Sequence, residues 1–523
     1  MAYADNSLRR RLSDFFGTRV FFWGALLTGA YLASRLYAAA HFPIFIDEAI
    51  HVDWARATAE SYPAPDPGFD GKWLSIKLFA VATSLDVPFD ELVAARLSVV
   101  ALGLCTALAI YLLGRDLFSS RVGALGVALY LVLPFSLIYN SLAMTDGIQL
   151  AFGSWATLLA ARLARTQHRV YALTLPLALA AAVLAKLSGL VLAGLPVAAV
   201  LLLAPRGRRA AAALRALPAL LIPLGLLAFF YSRGMLNIFK IKAAGKPTPL
   251  GEQVWANLFT AGEWMWGLLT PPVALLALAA ALWLLAFERS RAGLFVLSAL
   301  GLAVLPYVVI SQVWYPRYLL AAVVPVSLAV GRLLDAVAAR AGRRWGGRRA
   351  LEAVVLTLLL ACVLSWPALR SGAVLFALPE AGIPAVERFQ FVNGWPSGYG
   401  VLELAAFLRE QSEATPGGVV VARTNWIDHP LQSLNIYLTP SPSLFLYTVG
   451  DESEFSVWYL TWLNARRRTL LVLITERGAP KRVREPAAQL LKCGRPVWSY
   501  TRPGGVTGFV VMELNCGDLF ATK

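Results

Sequence analysis

The sequence is dominated by apolar stretches that are separated by short polar or basic segments. Several stretches approach the roughly 20 residues that an α-helix needs to cross a hydrocarbon core about 30 Å thick. Because lipid offers the backbone no hydrogen-bond partners, each stretch is expected to be helical. The pattern predicts about 11 spans, the first of which is too long for a cleaved signal peptide. The approximate spans are 19–40, 93–113, 122–139, 147–163, 170–185, 188–204, 214–231, 271–287, 293–310, 319–337 and 351–369.

Charged residues assign the loops between these helices to one side of the membrane or the other. Arginines gather in every second loop, which is the pattern of loops that stay in the cytoplasm. We therefore predict a multi-pass protein of the plasma (inner) membrane, with a cytoplasmic N-terminus and an extracytoplasmic C-terminus. These loops explain the formal net charge of +16, so we expect no nucleic-acid partner. The basic clusters are Arg9–Arg11, Arg115 with Arg121, Arg162 with Arg165 and Arg169, Arg206–Arg209, Arg289 with Arg291, and Arg340–Arg349.

The composition changes after about residue 370 to that of a soluble domain. Strand-like runs and one helical stretch at 402–411 predict a small α/β domain. We therefore expect a transmembrane domain at 1–370 and a soluble extracytoplasmic α/β domain at 371–523. The strand-like runs are 419–422, 443–448, 469–474, 497–501 and 508–514.

Two of the four cysteines lie in this C-terminal domain. Cys493 and Cys516 flank a predicted hairpin, in which regular pairing puts them directly opposite each other. Opposed positions lie about 4.5–5.5 Å apart, within the range of a disulfide, which an extracytoplasmic location permits. Two free cysteines in a bulged hairpin are equally compatible with the sequence. The other two, Cys105 and Cys362, lie in apolar helices, where we expect them to be buried.

The first outer loop, residues 41–91, is rich in carboxylates and carries Asp47 and Glu48 shortly after the first span. Segments 47–61 and 73–85 have mixed apolar and polar faces and are too short to span, so we expect helices in the membrane interface. An adjacent acid pair allows one carboxylate to take a proton from an acceptor while the other orients the acceptor or holds a cation. The helix dipole alone also explains acids at a helix N-terminus.

Other charged residues are predicted on the same outer face. Asp146 precedes the fourth span, where an ordinary N-cap is the simpler explanation. Lys72, Lys186 and Arg317 are cations that can bind a phosphate, although each side chain can equally snorkel to the interface. Acids and cations on one face suit an anionic lipid head group with an acceptor beside it. We therefore expect these residues to converge at one lipid–water boundary.

Signals for cofactors are weak. The four histidines are scattered, and only His51 stands four residues after an acid, Asp47. No glycine-rich nucleotide loop precedes a helix, so a cytosolic sugar-nucleotide donor is not supported. We expect no required cofactor and no resident metal, and the sequence leaves the use of a divalent metal open.

In these motifs the sequence resembles the GT-C fold glycosyltransferases, above all the branch of the protein O-mannosyltransferases and the aminoarabinose transferase that modifies lipid A. The resemblance covers roughly residues 19–340. It implies a GT-C fold and a metal-independent, inverting transfer of a sugar from a polyprenyl-phosphate carrier on the outer side of the membrane. The segments that carry the resemblance are Asp47-Glu48, Lys72 before an interfacial helix, Asp146, Ala185-Lys-Leu-Ser-Gly, and Tyr315-Pro-Arg-Tyr-Leu-Leu with Pro325.

The resemblance also implies a role for each of these residues. Asp47 would be the general base on the acceptor, and Glu48 and Asp146 would bind the acceptor or the sugar. Electrostatic stabilisation of the leaving phosphate would come from cations placed around it. The residues that would bind the donor phosphate are Lys72, Lys186, Arg317, Tyr315 and Tyr318.

Two features depart from the pattern of this family. Lys72 is followed by Trp-Leu where the family often has prolines, and the loop at 233–270 lacks the β-trefoil insertion of eukaryotic O-mannosyltransferases. The C-terminal domain is introduced by Gly394-Trp-Pro-Ser-Gly-Tyr-Gly, which is similar to prokaryotic members of unassigned acceptor but is also compatible with a turn. The acceptor therefore stays open between a protein, a lipid and a glycan.

A membrane transporter or lipid flippase is the alternative hypothesis. A transporter is expected to carry ionisable residues near the middle of its spans and often shows repeated halves. Here the candidate ions lie on one face and no repeat is visible, and a scaffold for the outer domain would not need so many spans. We therefore expect an integral membrane glycosyltransferase, acting on hexosyl or pentosyl groups, whose partners are a polyprenyl-phosphate-linked sugar, membrane lipids and an acceptor.

Overall fold

The computed structural model describes most of the chain, which packs as two compact units built from segments that are distant in sequence. The first unit comprises the described residues within Met1–His41, Tyr62–Val87 and Val93–Ala377. The second comprises those within Phe42–Ser61, Pro88–Leu92 and Leu378–Lys523. The described ranges are 19–60, 71–86, 88–233, 249–344, 349–416, 418–423, 429–438, 443–448, 469–475, 494–505 and 508–514.

Helices account for all the regular structure of the first unit within the described ranges. The helices of the whole described chain, in order, are α1 (Arg19–His41), α2 (Ile46–Glu60), α3 (Trp73–Thr83), α4 (Glu91–Leu117), α5 (Ser120–Val132), α6 (Pro134–Tyr139), α7 (Thr145–Thr166), α8 (Arg169–Ala185), α9 (Gly194–Leu203), α10 (Arg209–Ser232), α11 (Leu250–Leu269), α12 (Pro271–Trp283), α13 (Arg291–Ile310), α14 (Val323–Arg344), α15 (Arg349–Phe376), α16 (Ala385–Arg388), α17 (Val401–Ala414) and α18 (His429–Tyr437).

Six helical segments in the described part of the chain are long and apolar enough to cross a membrane. Shorter apolar helices accompany them, so the prediction of a polytopic α-helical membrane protein is confirmed. The number of 11 spans stays a prediction. The six long segments are Glu91–Leu117, Arg206–Ser232, Pro271–Glu288, Arg291–Ile310, Pro316–Arg344 and Ala350–Phe376. The shorter ones are Trp73–Thr83, Ser120–Val132, Arg169–Ala185 and Leu187–Leu203.

Three interruptions of the apolar helices in the first unit carry polar residues. Met144 is extended (φ −106°, ψ 139°) directly before α7. Lys186 is extended (φ −161°, ψ 127°) between α8 and a 3₁₀ turn at Leu187–Ala193. Tyr315 is extended (φ −137°, ψ 157°) before a second 3₁₀ turn at Pro316–Ala322. Interrupted helices at membrane depth are tolerated where the freed backbone is buried in protein or lines a cavity, and such places are suited to binding.

The second unit contains a five-stranded mixed sheet. Its strand order is β2-β1-β3-β5-β4, in which β1 is parallel to β2 and β3, and β5 is antiparallel to β3 and β4. The apolar β-branched runs that predict strands coincide with these elements, so the small α/β domain is present. The strands are β1 (Val419–Arg423), β2 (Leu444–Thr448), β3 (Thr469–Thr475), β4 (Gly494–Thr501) and β5 (Gly508–Leu514).

Helix α2 belongs to the second unit although it follows α1 directly in the chain. Arg56 on α2 donates from Nη1 to the carbonyl oxygen of Asn435 on α18, at 3.0 Å. The same guanidinium forms an ion pair with Glu91, 2.7 Å from Nη2 to Oε2. The part of the first outer loop that carries Asp47 is therefore packed by residues from the C-terminal part of the sequence.

Candidate active site

Asp146 lies in the first turn of α7 but does not cap the helix. Met144 occupies the N-cap position, and Asp146 is the second residue of the helix. Every residue from 133 to 151 is buried, so the predicted short outer loop at 139–146 lies within the first unit. The N-cap explanation does not apply, and the carboxylate of Asp146 is available for a contact with another part of the chain.

Lys186 provides that contact through a buried ion pair. Its Nζ lies 2.5 Å from Oδ1 of Asp146, and the two side chains are 12% and 3% exposed. The chain reverses here because Gly189 packs directly on α8: a Cβ at this position would lie 2.6 Å from the carbonyl carbon of Ala182. Oδ2 of Asp146 is buried and has no hydrogen-bond partner among the described residues. A protein partner, and not snorkelling alone, therefore holds Lys186.

Two tyrosines and Arg317 complete this group. Nζ of Lys186 lies 4.2 Å from the ring centroid of Tyr318. The guanidinium of Arg317, which is 9% exposed, lies 4.5 Å from the ring centroid of Tyr315 and 5.9 Å from that of Tyr318. Cation–π contacts of this kind stabilise a cation where little water reaches it. We call Asp146, Lys186, Tyr315, Arg317 and Tyr318 the cation cluster; the fold brings all five of these predicted site residues together.

Lys72 is placed near the cation cluster by its neighbours in the chain. It directly precedes α3, where it occupies the N-cap position without a side-chain cap. Oγ of Ser75 donates to the carbonyl oxygen of Ala185 at 2.8 Å, and a Cβ added to Gly71 would lie 3.0 Å from Cβ of Leu187. Gly71 and Ser75 lie before and after Lys72 in the chain, and Ala185 and Leu187 lie directly before and after Lys186. The backbone around Lys72 is therefore packed against the backbone around Lys186.

Asp47 and Glu48 lie in the first turn of α2, in the second unit, and differ in their surroundings. Glu48 is fully buried, and its Oε2 accepts a hydrogen bond from the backbone N–H of Phe45 at 3.0 Å. A glutamate that reaches back to the residue preceding its helix is half of a capping box. Asp47 is only partly buried. Glu48 thus stabilises the start of the helix, and Asp47 is the more accessible acid; its convergence with the cation cluster stays a prediction.

Gln149 and Ser188 are polar residues of this region that sequence reasoning missed. Oγ of Ser188 donates to Oε1 of Gln149 at 3.1 Å, which links α7 to the turn after Lys186. Their signal is positional, because Gln149 follows Asp146 by three residues, less than one helical turn, and Ser188 belongs to the Lys-Leu-Ser-Gly motif. Gln149 also lines a small pocket whose other walls include Ser154, Thr157 and several apolar side chains.

Arg35 is a second residue that the sequence interpretation passed over. It is 1% exposed on α1, and its Nη2 donates to Oγ of Ser136 at 3.1 Å, where Pro134 separates α5 from α6. Its guanidinium lies 4.9 Å from the ring centroid of Tyr31. An arginine inside a predicted span is itself the signal, since charges at membrane depth are rare unless they have partners. Arg35 links α1 to the interruption between α5 and α6.

The possible metal ligands and the four cysteines of the chain are further residues with sequence-based predictions. Among the described residues, no group of three His, Cys, Asp or Glu side chains could hold a metal ion. Cys493 and Cys516 lie outside the described residues, so their pairing stays a prediction. Cys105 and Cys362 are free and exposed, so the expectation that they are buried is wrong. Apolar helices of a membrane protein turn many small side chains outward, because lipid is as apolar as the interior.

Comparisons with known proteins place this geometry in context. Residues 78–231 match the family described as dolichyl-phosphate-mannose-protein mannosyltransferase. No curated protein matches the sequence at a significant level.

Solved structures match over nearly the whole chain. ArnT from Cupriavidus metallidurans bound to undecaprenyl phosphate has a TM-score of 0.56 and 15% identity, covering 94% of this chain and 97% of ArnT. ArnT from the same organism in the apo state has a TM-score of 0.56 and 16% identity, and the match covers 94% of this chain and 98% of ArnT. The Archaeoglobus fulgidus oligosaccharyltransferase tethered with an acceptor peptide has a TM-score of 0.52 and 14% identity. This match covers 95% of this chain and 74% of the oligosaccharyltransferase.

At these identities the structural matches are evidence of fold, and the family match shows a similarity in sequence over residues 78–231. The prediction of a GT-C fold is confirmed, and nothing in the comparisons supports the transporter alternative. The chain is a multi-pass membrane protein with the GT-C fold, and its residues 78–231 are similar to the dolichyl-phosphate-mannose-protein mannosyltransferase family.

Proposed function

We propose that this protein transfers a sugar from a polyprenyl-phosphate carrier to an acceptor on the extracytoplasmic face of the plasma membrane. The N-terminus would be cytoplasmic and the C-terminal α/β domain, residues 371–523, extracytoplasmic. Support comes from the alternating arginine loops. It comes also from the likeness to ArnT, whose structure contains undecaprenyl phosphate.

The cation cluster is the observation that carries this proposal. Lys186 and Arg317 are largely buried among apolar helices and aromatic rings, where an uncompensated cation is unfavourable. Lys186 pairs with Asp146, and Arg317 and the backbone of Lys72 lie in the same part of the first unit, so three cationic residues are gathered there. A phosphate attached to a lipid is an anion of the right sign, and its hydrocarbon chain is compatible with a membrane-embedded unit.

Each residue of the cluster has a chemical role in the proposed transfer. Arg317 can present two parallel N–H donors to phosphate oxygens, and Lys186 and Lys72 supply point charges. Charge that develops on the departing phosphate is stabilised by these fixed cations. Tyr315 and Tyr318 hold the cations in place through their rings and offer hydroxyl groups to the phosphate. Oδ2 of Asp146 is suited to accept a hydrogen bond from a hydroxyl of the donor sugar.

Asp47 is proposed as the general base. An acceptor hydroxyl or amine attacks the anomeric carbon and gives its proton to the Asp47 carboxylate. The bond from the anomeric carbon to the phosphate oxygen breaks, and the polyprenyl phosphate leaves with the electron pair. A single displacement of this kind inverts the anomeric configuration. The assignment is supported by the resemblance and by the partial exposure of Asp47, whereas binding of the acceptor by Glu48 stays a prediction alongside its capping contact.

The direct test is reconstituted transfer. Purified protein in lipid nanodiscs is incubated with radiolabelled polyprenyl-phosphate sugars of different sugar identity, together with protein, lipid and glycan acceptors. We expect at least one donor to be consumed with release of polyprenyl phosphate, and the rate to persist after treatment with a chelator. Lys186→Met should abolish transfer, while Lys77→Met, a lysine change on α3, serves as the matched control. Absence of transfer from every donor, with the protein folded, would contradict the proposal.

A further inference from the structure

The heptapeptide Gly394–Gly400 has a structural relation to Asp47 that the proposed function does not use. It lies in the second unit, between a π-helical turn at Phe389–Asn393 and helix α17. The N–H of Ser397 donates to the carbonyl oxygen of Gly394 at 3.0 Å, so Trp395 and Pro396 form the centre of a tight turn. The compatibility with a turn that the sequence indicates is thus realised, and the turn has a further partner.

That partner is the segment that leads into α2. The N–H of Ile46 donates to the carbonyl oxygen of Pro396 at 3.2 Å. A Cβ added to Gly398 would collide with the carbonyl oxygen of Ile44 and lie 2.7 Å from its nitrogen, distances that real Cβ atoms do not show. The two backbones therefore touch, and only glycine permits this approach at position 398. The contact ends one residue before Asp47.

The residues on both sides of Asp47 make close contacts. The ring of Phe45 packs on that of Phe391, with centroids 4.9 Å apart. The backbone N–H of Phe45 is bound by the carboxylate of Glu48, as described above. Residues 44, 45, 46 and 48 are therefore each fixed by a contact, and Asp47 lies among them.

The heptapeptide is itself anchored to the sheet. Ser397 is fully buried, and its Oγ donates to the carbonyl oxygen of Phe391 at 3.1 Å. Gly400 has φ +88°, and a Cβ there would lie 2.7 Å from Cε1 of Tyr500 on β4. A continuous series of close contacts therefore runs from the sheet through the turn to the start of α2.

We propose that Gly394–Gly400 is a positioning element that holds the carboxylate of Asp47 at the orientation needed for proton abstraction, with Ser397 and Gly398 as its positioning residues. The inference rests on the proposed function, since it assumes that Asp47 is the base. Displacement of a catalytic group by about 1 Å can reduce turnover by about 10²-fold. Loss of the Ser397 hydroxyl should have a milder effect, about tenfold, because the backbone contacts remain.

The test compares full-length variants in nanodiscs by hydrogen exchange and by turnover. In Gly398→Ala, exchange in the peptide that contains Ile46 should increase, and kcat should fall by about 10²-fold with little change in KM for the donor. Ser397→Ala is the second variant, and should give smaller changes of the same kind. Gly418→Ala is the matched control: a Cβ there would lie 2.6 Å from Cα of Ser443, so it strains the same unit away from Asp47.

The outcomes separate this inference from the proposed function. Faster exchange at Ile46 together with a lower kcat in both heptapeptide variants, but not in Gly418→Ala, supports the positioning role. Unchanged exchange at Ile46 in Gly398→Ala overturns it, whatever the activity. Equal losses in all three variants also overturn it, because they indicate general destabilisation. Wild-type turnover in Asp47→Asn would instead refute the base assignment, while the exchange result still decides whether the heptapeptide fixes residues 44–46.

Discussion

The ion pair between Asp146 and Lys186 allows stability and catalysis to be separated by one set of variants. Removing one partner of a buried pair leaves an uncompensated charge and costs about 3–5 kcal/mol. Since Lys186 retains 12% exposure, we expect the lower end, about 3 kcal/mol, for Asp146→Asn and for Lys186→Met. Independent effects would add to about 6 kcal/mol in the double variant. Because the double variant leaves no uncompensated charge, we expect it to lose less than either single variant, below about 3 kcal/mol.

The measurement is thermal unfolding followed by tryptophan fluorescence at one scan rate, with transfer assayed on the same samples. The double variant should unfold above the temperature of either single variant and yet remain inactive, because the phosphate has lost Lys186. A cycle on Arg56 and Glu91, whose side chains are 29% and 37% exposed, is the control, with an expected coupling below about 1 kcal/mol. Additive destabilisation at the buried pair would refute the stabilising role. Wild-type transfer in the double variant would refute phosphate binding by Lys186.

Three further predictions concern other residues. Asp47→Asn should lower kcat by about 10²–10⁴-fold with unchanged folded yield, measured against the exposed Asp86→Asn; equal activity of the two variants would argue against a base at Asp47. Arg317→Lys keeps the charge but loses the forked donors and the ring stacking, so KM for the donor should rise about tenfold in a donor titration, and an unchanged KM would speak against phosphate binding. Burial raises the pKa of Tyr399 to about 12 from its ordinary 10, so the folded protein holds this proton more tightly than the unfolded chain. Stability should therefore fall as pH rises from about 10 to about 12, and Tyr399→Phe should make a fluorescence-monitored pH titration flatter there; an identical titration would exclude Tyr399 as its source.

Much of the architecture follows from local pattern. The continuous apolar run at 469–474 predicts a strand, and Thr469–Thr475 is one, because a short run of this length is typical of a strand. The end of the helix before Lys186 is also predicted locally, because the polar segment Lys-Leu-Ser-Gly lies between two apolar runs. Pairing across the chain is different: nothing near Arg56 indicates that it binds Asn435, 379 residues later. Contacts of such separation depend on the complete fold.

The candidate site shows the same division. Lys186 and Arg317 are recognisable because charges between apolar stretches are rare, and a motif order supports them. The partner of Lys186 is not recognisable, since Asp146 beside Thr145 is equally compatible with a helix cap, and only the structure shows that Met144 takes that position. Similarly, adjacent acids at Asp47 and Glu48 look alike in sequence. In the structure Glu48 is buried and caps the start of the helix, whereas Asp47 is only partly buried.

The membership of α2 in the second unit has a consequence for protein engineering. A cut at residue 371, where the composition changes, would separate Ile44, Ile46 and Arg56 from Pro396, Gly398 and Asn435, which they contact. Chimeras that exchange the C-terminal region between related enzymes should therefore exchange Phe42–Ser61 together with that region, although the two segments are separate in the sequence. Hybrids that keep the recipient's own 42–61 would bring together surfaces that never evolved as a matching pair.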